Sequence, residues 1–369
     1  MLIGFIGIHV LHELLNTTAI KIYCLVRGKT ISNSKERLIE KYKFYFNEDI
    51  SNLIDDRIIV FNGTILKEDI GLSTANLKII KENVKTIIHT AACVKHYGEY
   101  EEFNKVNTEG TRNIAKLGFN NNIRLIHISS ISVSGNYLVK QDNRNIEFTE
   151  NSLYIGQNYI DNVYVHSKFE AEKVVLEYME KGLTAQIHRI GILAGRLSDG
   201  VFQNNIDENA FYSRIKSMVV LSCVSENMIN QKIEFTPVDV CTKDIVLLAK
   251  NSIADNRIFH LYNHNFIEIK EVIEILNSFD MNIKIVSEKE FKDRIIEISK
   301  SKDSKFIHGI INDLNNSKES LTSINYNFSV NIKSEYTQKY LELLKNEWNE
   351  TNKNYIKKLI NYMKKVNFI

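Results

Sequence analysis

Six short apolar runs, "KIYCLVR", "RIIVFNG", "KTIIHTAA", "RLIHISSISV", "TAQIHRIGIL" and "RIFHLYN", punctuate the sequence. Amphipathic stretches lie between them, among them "SKERLIEKYKFY", "NTEGTRNIAKLG" and "HSKFEAEKVVLEYMEKG". This alternation constrains the fold more than any other feature, because it reads as successive βαβ units around a parallel sheet. "KTIIH" is apolar at consecutive positions, as a strand covered by helices on both faces requires. After about Gly195 helical patterns dominate, from "IDENAFYSRIKSMVVL" to "YLELLKNEWNETNKNYIKKLINYMKK". The expectation is an α/β fold: a doubly wound parallel sheet over residues 1–195, with 233–262 returning to it, and a smaller, mostly helical region over 196–369.

Composition removes several function classes. With 44% hydrophobic residues, the 369-residue chain has ample material for a core, and a net charge of +2 argues for neither a nucleic acid nor an acidic membrane partner. No apolar run approaches the ~20 residues of a membrane span. The N-terminus lacks the basic start of a signal peptide. Cys24, Cys93, Cys223 and Cys241 lie far apart with no paired spacing, which fits a reducing cytoplasm and neither a disulfide framework nor a zinc site. The lysine-rich C-terminal stretch reads as the solvated face of a helix.

The chemistry concentrates in "YVHSK", Tyr164 to Lys168, which opens a helical stretch. A Y-x-x-x-K spacing stacks phenol and ammonium on one helix face. There the positive charge is expected to favour the phenolate and lower the tyrosine pKa, fitting Tyr164 for proton transfer near neutral pH. By itself the spacing also occurs as a surface pair. Upstream, "HISSISVSG" ends an apolar run, and carboxyl ends of parallel strands are where ligands sit. Ser130 there could hydrogen-bond the substrate oxygen that Tyr164 protonates, ahead of the alternative that Ser129 and Ser130 cap a strand end. "HTAACV" offers the small residues Ala91 and Ala92 for close approach of a cofactor, and "NKVNTEGT" places Asn107 on the next helix, where its amide could reach the lysine through water. Cys93 reads as a packing residue, and no histidine pattern suggests a metal.

The opening "MLIGFIGIHVLHELL" supplies Gly4, Phe5, Ile6 and Gly7, which read as the back half of a phosphate-binding loop leading into a helix. No strand precedes it. Two neighbouring strands would then lack a ladder partner.

Gly4/Gly7, Ala91/Ala92, Asn107, Ser130, Tyr164 and Lys168, taken in order, resemble the extended short-chain dehydrogenase/reductase superfamily. Within it the chain resembles the thioester reductase domains of nonribosomal peptide synthetases and carboxylic acid reductases, which carry a male-sterility-type NAD-binding domain. The closer likeness rests on "IYCLVRG", "GLSTANLKIIKENVKTIIHTAACV", "GRLSDGVFQNNIDENAFYSRIK", "IEFTPVDVCTKDIVLLA" and "IFHLYNHNFI". The resemblance implies a Rossmann domain lacking its expected first strand, a C-terminal region that binds substrate and carrier, and NADPH as cofactor. It also implies a partner carrying phosphopantetheine, whose acyl or peptidyl thioester is reduced to an aldehyde, or on to the alcohol. Arg27, ending a strand, suits the 2′-phosphate of NADP. Arg37 matches a basic position the family uses on that phosphate, although a helix-surface charge reads as well. Lys168 would hold the nicotinamide ribose. Thr64 stands after Gly63 where the family has an aspartate near the adenine, and Ile192 stands where it has asparagine.

Two other readings compete: a sugar-nucleotide epimerase or dehydratase of the same superfamily, and a remnant that keeps the fold but not the cofactor. The family loop runs roughly T-G-x-x-G-x-x-G, and Met1, Leu2 and Ile3 occupy its first half. The missing strand is expected either upstream of Met1 or lost when the chain was severed from a larger synthetase, ahead of a third option, that another segment fills the gap.

Overall fold

The computed structural model describes residues 3–94, 98–135, 138–139, 146–307, 310, 330–346, 348 and 351–369. The chain divides into two compact units. One holds Met1–Gly191, Val238–Tyr262 and Ser329–Glu347; the other holds Ile192–Pro237, Asn263–Phe328 and Trp348–Ile369.

In the first unit the apolar runs become strands and the amphipathic stretches helices. In order they are α1 (Phe5–Thr17), β1 (Ile22–Val26), α2 (Ile31–Phe46), β2 (Ile58–Asn62), α3 (Thr74–Asn83), β3 (Thr86–His89), α4 (Tyr100–Phe103), α5 (Gly110–Asn120), β4 (Arg124–Ser130), β5 (Glu147–Phe148), α6 (Val163–Glu180) and β6 (Ala185–Ile190). A further strand, Arg257–Leu261, follows the helix Val238–Ala249. Caps mark several starts: Thr30, Ser73 and Asn162 each accept main-chain N–H groups from the first turn of α2, α3 and α6.

Strands pair in parallel in two separate ladders. β1 pairs with β2, while β3, β4, β6 and Arg257–Leu261 form a four-stranded ladder. Among the described residues no ladder joins β1 to β3. Met1 and Leu2, read as part of the loop's first half, lie outside the described residues. β3 is less covered than its sequence suggests. "KTIIH" reads as a strand covered on both faces, yet Thr86, Ile87 and Ile88 are only half-buried while β4 is buried from Leu125 to Ser130. β3 is an edge of its ladder, and β4 lies inside it. Helix packing links the ladders through one core, in which Phe61 of β2, Ile80 of α3, Ile114 of α5, Leu125 of β4, Val175 of α6 and Ile187 of β6 are buried together.

A late segment also joins this unit. Asn331–Ile332 pairs in parallel with β5, and Thr337 donates through both its main-chain nitrogen and its hydroxyl to Glu150, 2.8 Å each. The sequence pattern gives 196–369, apart from 233–262, to the helical C-terminal region. These polar contacts instead join residues 330–337 to the first unit, a pull that hydrophobic periodicity does not register.

The second unit carries the helices Ala210–Leu221, Ile269–Asn277, Glu288–Ser299 and Lys353–Lys365 with short strand pairs between them. The last helix buries Tyr355, Ile356, Leu359, Ile360 and Met363 and leaves Lys353, Lys357, Lys364 and Lys365 exposed, the amphipathic pattern read from the sequence.

Candidate active site

The candidate residues all lie at carboxyl ends of parallel strands or in the helices beside them. Ser130 closes β4, and Ala91 and Ala92 follow β3. Thr64 follows β2, Arg27 follows β1, and Gly4 is the N-cap residue of α1, with Phe5, Ile6 and Gly7 in its first turn. The main-chain N–H groups of such a turn have no intrahelical partner and favour an anion.

Tyr164 is set by the cap of α6. Asn162 Oδ1 accepts from the main-chain nitrogens of Tyr164 (3.0 Å) and Val165 (3.1 Å), fixing the first turn. The phenol is hydrogen-bonded to Ser130. The Ser130 hydroxyl also accepts from Ser132 N (3.2 Å) and lies 2.8 Å from the Ser132 hydroxyl. Lys168, one turn along, is buried and donates from Nζ to the Ile128 carbonyl at 2.7 Å. The ammonium carries three donors, and this bond uses one.

The electrostatics differ from the sequence expectation. Burial raises the Tyr164 pKa above the ordinary phenol value, and the Ser130 hydrogen bond lowers it in part. Lys168 is not among the groups that lower it; its charge is directed to Ile128. Burial lowers the lysine itself to about 8, opposed by Glu172. Spacing alone fixed the shared helix face but not the direction of the ammonium.

Asn107 is held by direct partners: Nδ2 donates to Ser167 Oγ (2.8 Å) and the Cys93 carbonyl (3.0 Å), while Oδ1 accepts from Cys93 N (2.7 Å). It sits in a π-helical segment, Asn104–Glu109, between α4 and α5. Such insertions re-aim side chains where a helix meets a site. Asn107 thereby pins the loop that carries Ala91 and Ala92 to α6.

At the end of β1, the Arg37 guanidinium donates to the Arg27 carbonyl, so the two arginines are neighbours. Arg27 is exposed and Arg37 half-buried. The Gly28 main chain donates to Asn62 Oδ1 at 3.0 Å, tying the loop after β1 to the end of β2. Gly63 admits no side chain, since a Cβ there would stand 2.5 Å from the Ile70 carbonyl.

Sequence reading missed a buried ion pair behind this set. Glu172 and Arg189 meet at 2.7 Å with both side chains fully buried. Glu172 falls four residues after Lys168, a spacing that would have signalled it, but a charged helix position reads by default as solvated. Among the described residues, no cluster of His, Cys, Asp and Glu could hold a metal ion, and no helix is long and apolar enough to cross a membrane.

A parallel sheet with a hydroxyl at the carboxyl end of a strand, and a phenol and a buried ammonium on the helix beside it, is the layout of a dinucleotide-dependent oxidoreductase. The chain belongs to the male sterility protein family with an NAD-binding domain, whose model matches residues 3–245. Among solved structures, a thiolation-reductase di-domain from an archaeal non-ribosomal peptide synthetase is 33% identical, with a TM-score of 0.87 over 99% of this chain and 74% of that one. The terminal R domain of the myxalamid PKS-NRPS pathway shares the fold at 23% identity and a TM-score of 0.85, covering 100% of this chain and 90% of that one. A linear gramicidin synthase protein of Brevibacillus parabrevis is 25% identical over 299 residues, which is 81% of this chain and 6% of that protein. Aldehyde reductase lnbA of Aspergillus flavus is 26% identical over 274 residues, 71% of this chain and 26% of the relative. The chain thus spans about a quarter or less of these two relatives' length.

Proposed function

We propose that the chain is an NADPH-dependent thioester reductase domain, which takes an acyl or peptidyl chain from a phosphopantetheine-bearing carrier and releases it as an aldehyde. The observation that carries this reading is the Ser130–Tyr164 hydrogen bond at the end of β4, beside a lysine anchored on the same strand end. It places a neutral proton donor next to a second hydroxyl, the pair needed where a carbonyl oxygen gains charge.

The residues present fit the cofactor. Lys168 has two donors beyond its Ile128 bond, suited to ribose hydroxyls. The first turn of α1 suits the pyrophosphate, Ala91 and Ala92 leave room for close approach, Thr64 would stand toward the adenine, and Arg27 with Arg37 suits a 2′-phosphate. NADPH, when bound, supplies hydride to the thioester carbon. Ser130 then steadies the oxyanion and Tyr164 delivers its proton to that oxygen. The resulting hemithioacetal collapses to aldehyde and carrier thiol, so no enzyme nucleophile is required. The raised phenol pKa keeps Tyr164 protonated at neutral pH, in the acid form that this step uses. Asn107 acts by holding the Cys93 backbone.

A second reading has its own observation. Among the described residues the ladders β1–β2 and β3–β4 are not joined, which favours a chain that keeps the fold but holds the cofactor weakly. Titrating the purified chain with NADPH, then supplying a carrier-bound acyl thioester, separates the two. Saturable binding followed by aldehyde release supports the reductase; absent binding supports the second reading.

A further inference from the structure

Tyr164, Lys168 and Glu172 recur every four residues on α6 and so share one face. That face is tied to three consecutive residues at the end of β4. Lys168 donates to the Ile128 carbonyl at 2.7 Å, the Ser129 hydroxyl donates to Glu172 Oε1, and Tyr164 is hydrogen-bonded to Ser130.

Glu172 is gripped from the other side as well. Ser129 and Arg189 are direct partners across the β4–β6 ladder, and Arg189 and His260 are partners across the next. Arg189 donates through Nε to both Glu172 oxygens (3.1 Å) and through Nη2 to Oε2 (2.7 Å). It also donates to the carbonyls of Ser152 (2.7 Å) and Thr149 (3.4 Å) and to His260 Nε2 (3.0 Å). His260 in turn donates from Nδ1 to the Lys333 carbonyl at 2.6 Å.

Stability alone is a weak reason for such a pair, since apolar residues of similar volume often replace a buried ion pair without loss. What an apolar pair would not supply is a fixed negative charge on the lysine's face of the helix. We propose that Glu172, clamped by Ser129 and Arg189, is a positioning residue whose charge keeps the Lys168 ammonium protonated on the Ile128 carbonyl. The proposal deepens the reading of Lys168 as the cation of the reductase site and rests on it. Burial alone drives the lysine toward its neutral form, and Glu172 is the charge that opposes this. Among the described residues, the other titratable groups on this side supply no such counter-charge. His89 of β3 and His127 of β4 are buried with their pKa held well below the usual imidazole value, so they are neutral. Tyr164 is protonated, and Arg189 and His260 stand behind Glu172.

The test follows the lysine itself. The full chain, isotope-labelled at lysine Cε, is titrated by NMR, and the Lys168 signal is assigned by its loss in Lys168→Arg. In Glu172→Gln the Lys168 midpoint is expected to fall by about 1–3 pH units, the usual effect of an adjacent opposite charge. The alkaline limb of turnover should move with it. A merely structural role would lower the melting temperature and leave the midpoint in place, and an unmoved midpoint in a folded variant overturns the proposal. Should Glu172→Gln fail to fold because Arg189 is stranded, Glu172→Gln with Arg189→Met removes that burden, and the same fall, or its absence, decides. The NMR readout needs no turnover. A wild-type chain inactive on thioesters, but with the shift present, would count against the reductase reading and not against the role of Glu172.

Discussion

Lys168 donates to the main-chain oxygen of Ile128, two residues before Ser130, and so fixes the distance between α6 and the end of β4. The same burial lowers its pKa to about 8. The ammonium is present below that pH and lost as pH rises through it. Turnover should therefore hold steady from neutral pH and decline above about pH 8, checked by initial rates across that range. Unfolding does not account for such a decline. The unfolded lysine titrates near ~10.4, so between the two values the unfolded chain binds more protons, and this group's contribution to stability rises with pH. Melting curves over the same range should show no matching loss from Lys168.

Tyr164→Phe removes the proposed proton donor and keeps the ring. Turnover should fall by about 100-fold or more, the usual scale of general acid catalysis, with cofactor binding nearly intact. A variant that reduces thioesters at the wild-type rate would remove Tyr164 from the mechanism.

Asn107→Ala leaves the Cys93 N–H and carbonyl without their partner. Each unmet group costs about 1–3 kcal/mol, and each kcal/mol lowers the melting point by about 2–4 °C in a domain of this size. Calorimetry should record that loss, together with weaker NADPH binding as the Ala91–Ala92 loop loosens. Unchanged binding would confine Asn107 to a stabilising role.

Arg27→Ala tests cofactor choice. Arg27 is exposed and adjacent to Arg37, and removing it should weaken NADPH binding by about 1.5–3 kcal/mol, the scale of a charge-assisted hydrogen bond. NADH binding should change little. Equal effects on both cofactors would sink the 2′-phosphate assignment.

The divided sheet predicts uneven protection. Amides of β1 and β2, in a ladder of two strands, should exchange with solvent sooner than those of β4 and β6 inside the ladder of four. Hydrogen exchange resolved by peptide reads this directly. Equal protection across both ladders would mean that they open as one unit.

Much of this was legible in the sequence because it rests on local pattern. Every apolar run that reads as a strand is one, since consecutive apolar residues such as those of "RLIHIS" have a place inside a parallel sheet. The stacking of Tyr164 and Lys168 follows from helix periodicity alone. What remained hidden depends on partners distant in sequence. The half-burial of β3 goes with its place at the edge of its ladder among the described residues, and the fixed amide of Asn107 depends on a loop fourteen residues earlier. Arg189 and Glu172, both charged, read as surface residues until the fold seats them together beneath Ser129.

The most direct test of the central claim is a single-turnover reaction of the purified chain with NADPH and an acyl thioester on a phosphopantetheine carrier, followed by mass spectrometry of product and carrier. The account predicts that NADPH is oxidised mole for mole as carrier thiol is freed, with the acyl group recovered as aldehyde, and that Tyr164→Phe abolishes all of these together. Carrier thiol freed as the carboxylic acid with NADPH intact, or a thioester untouched by folded, NADPH-saturated protein, would contradict it.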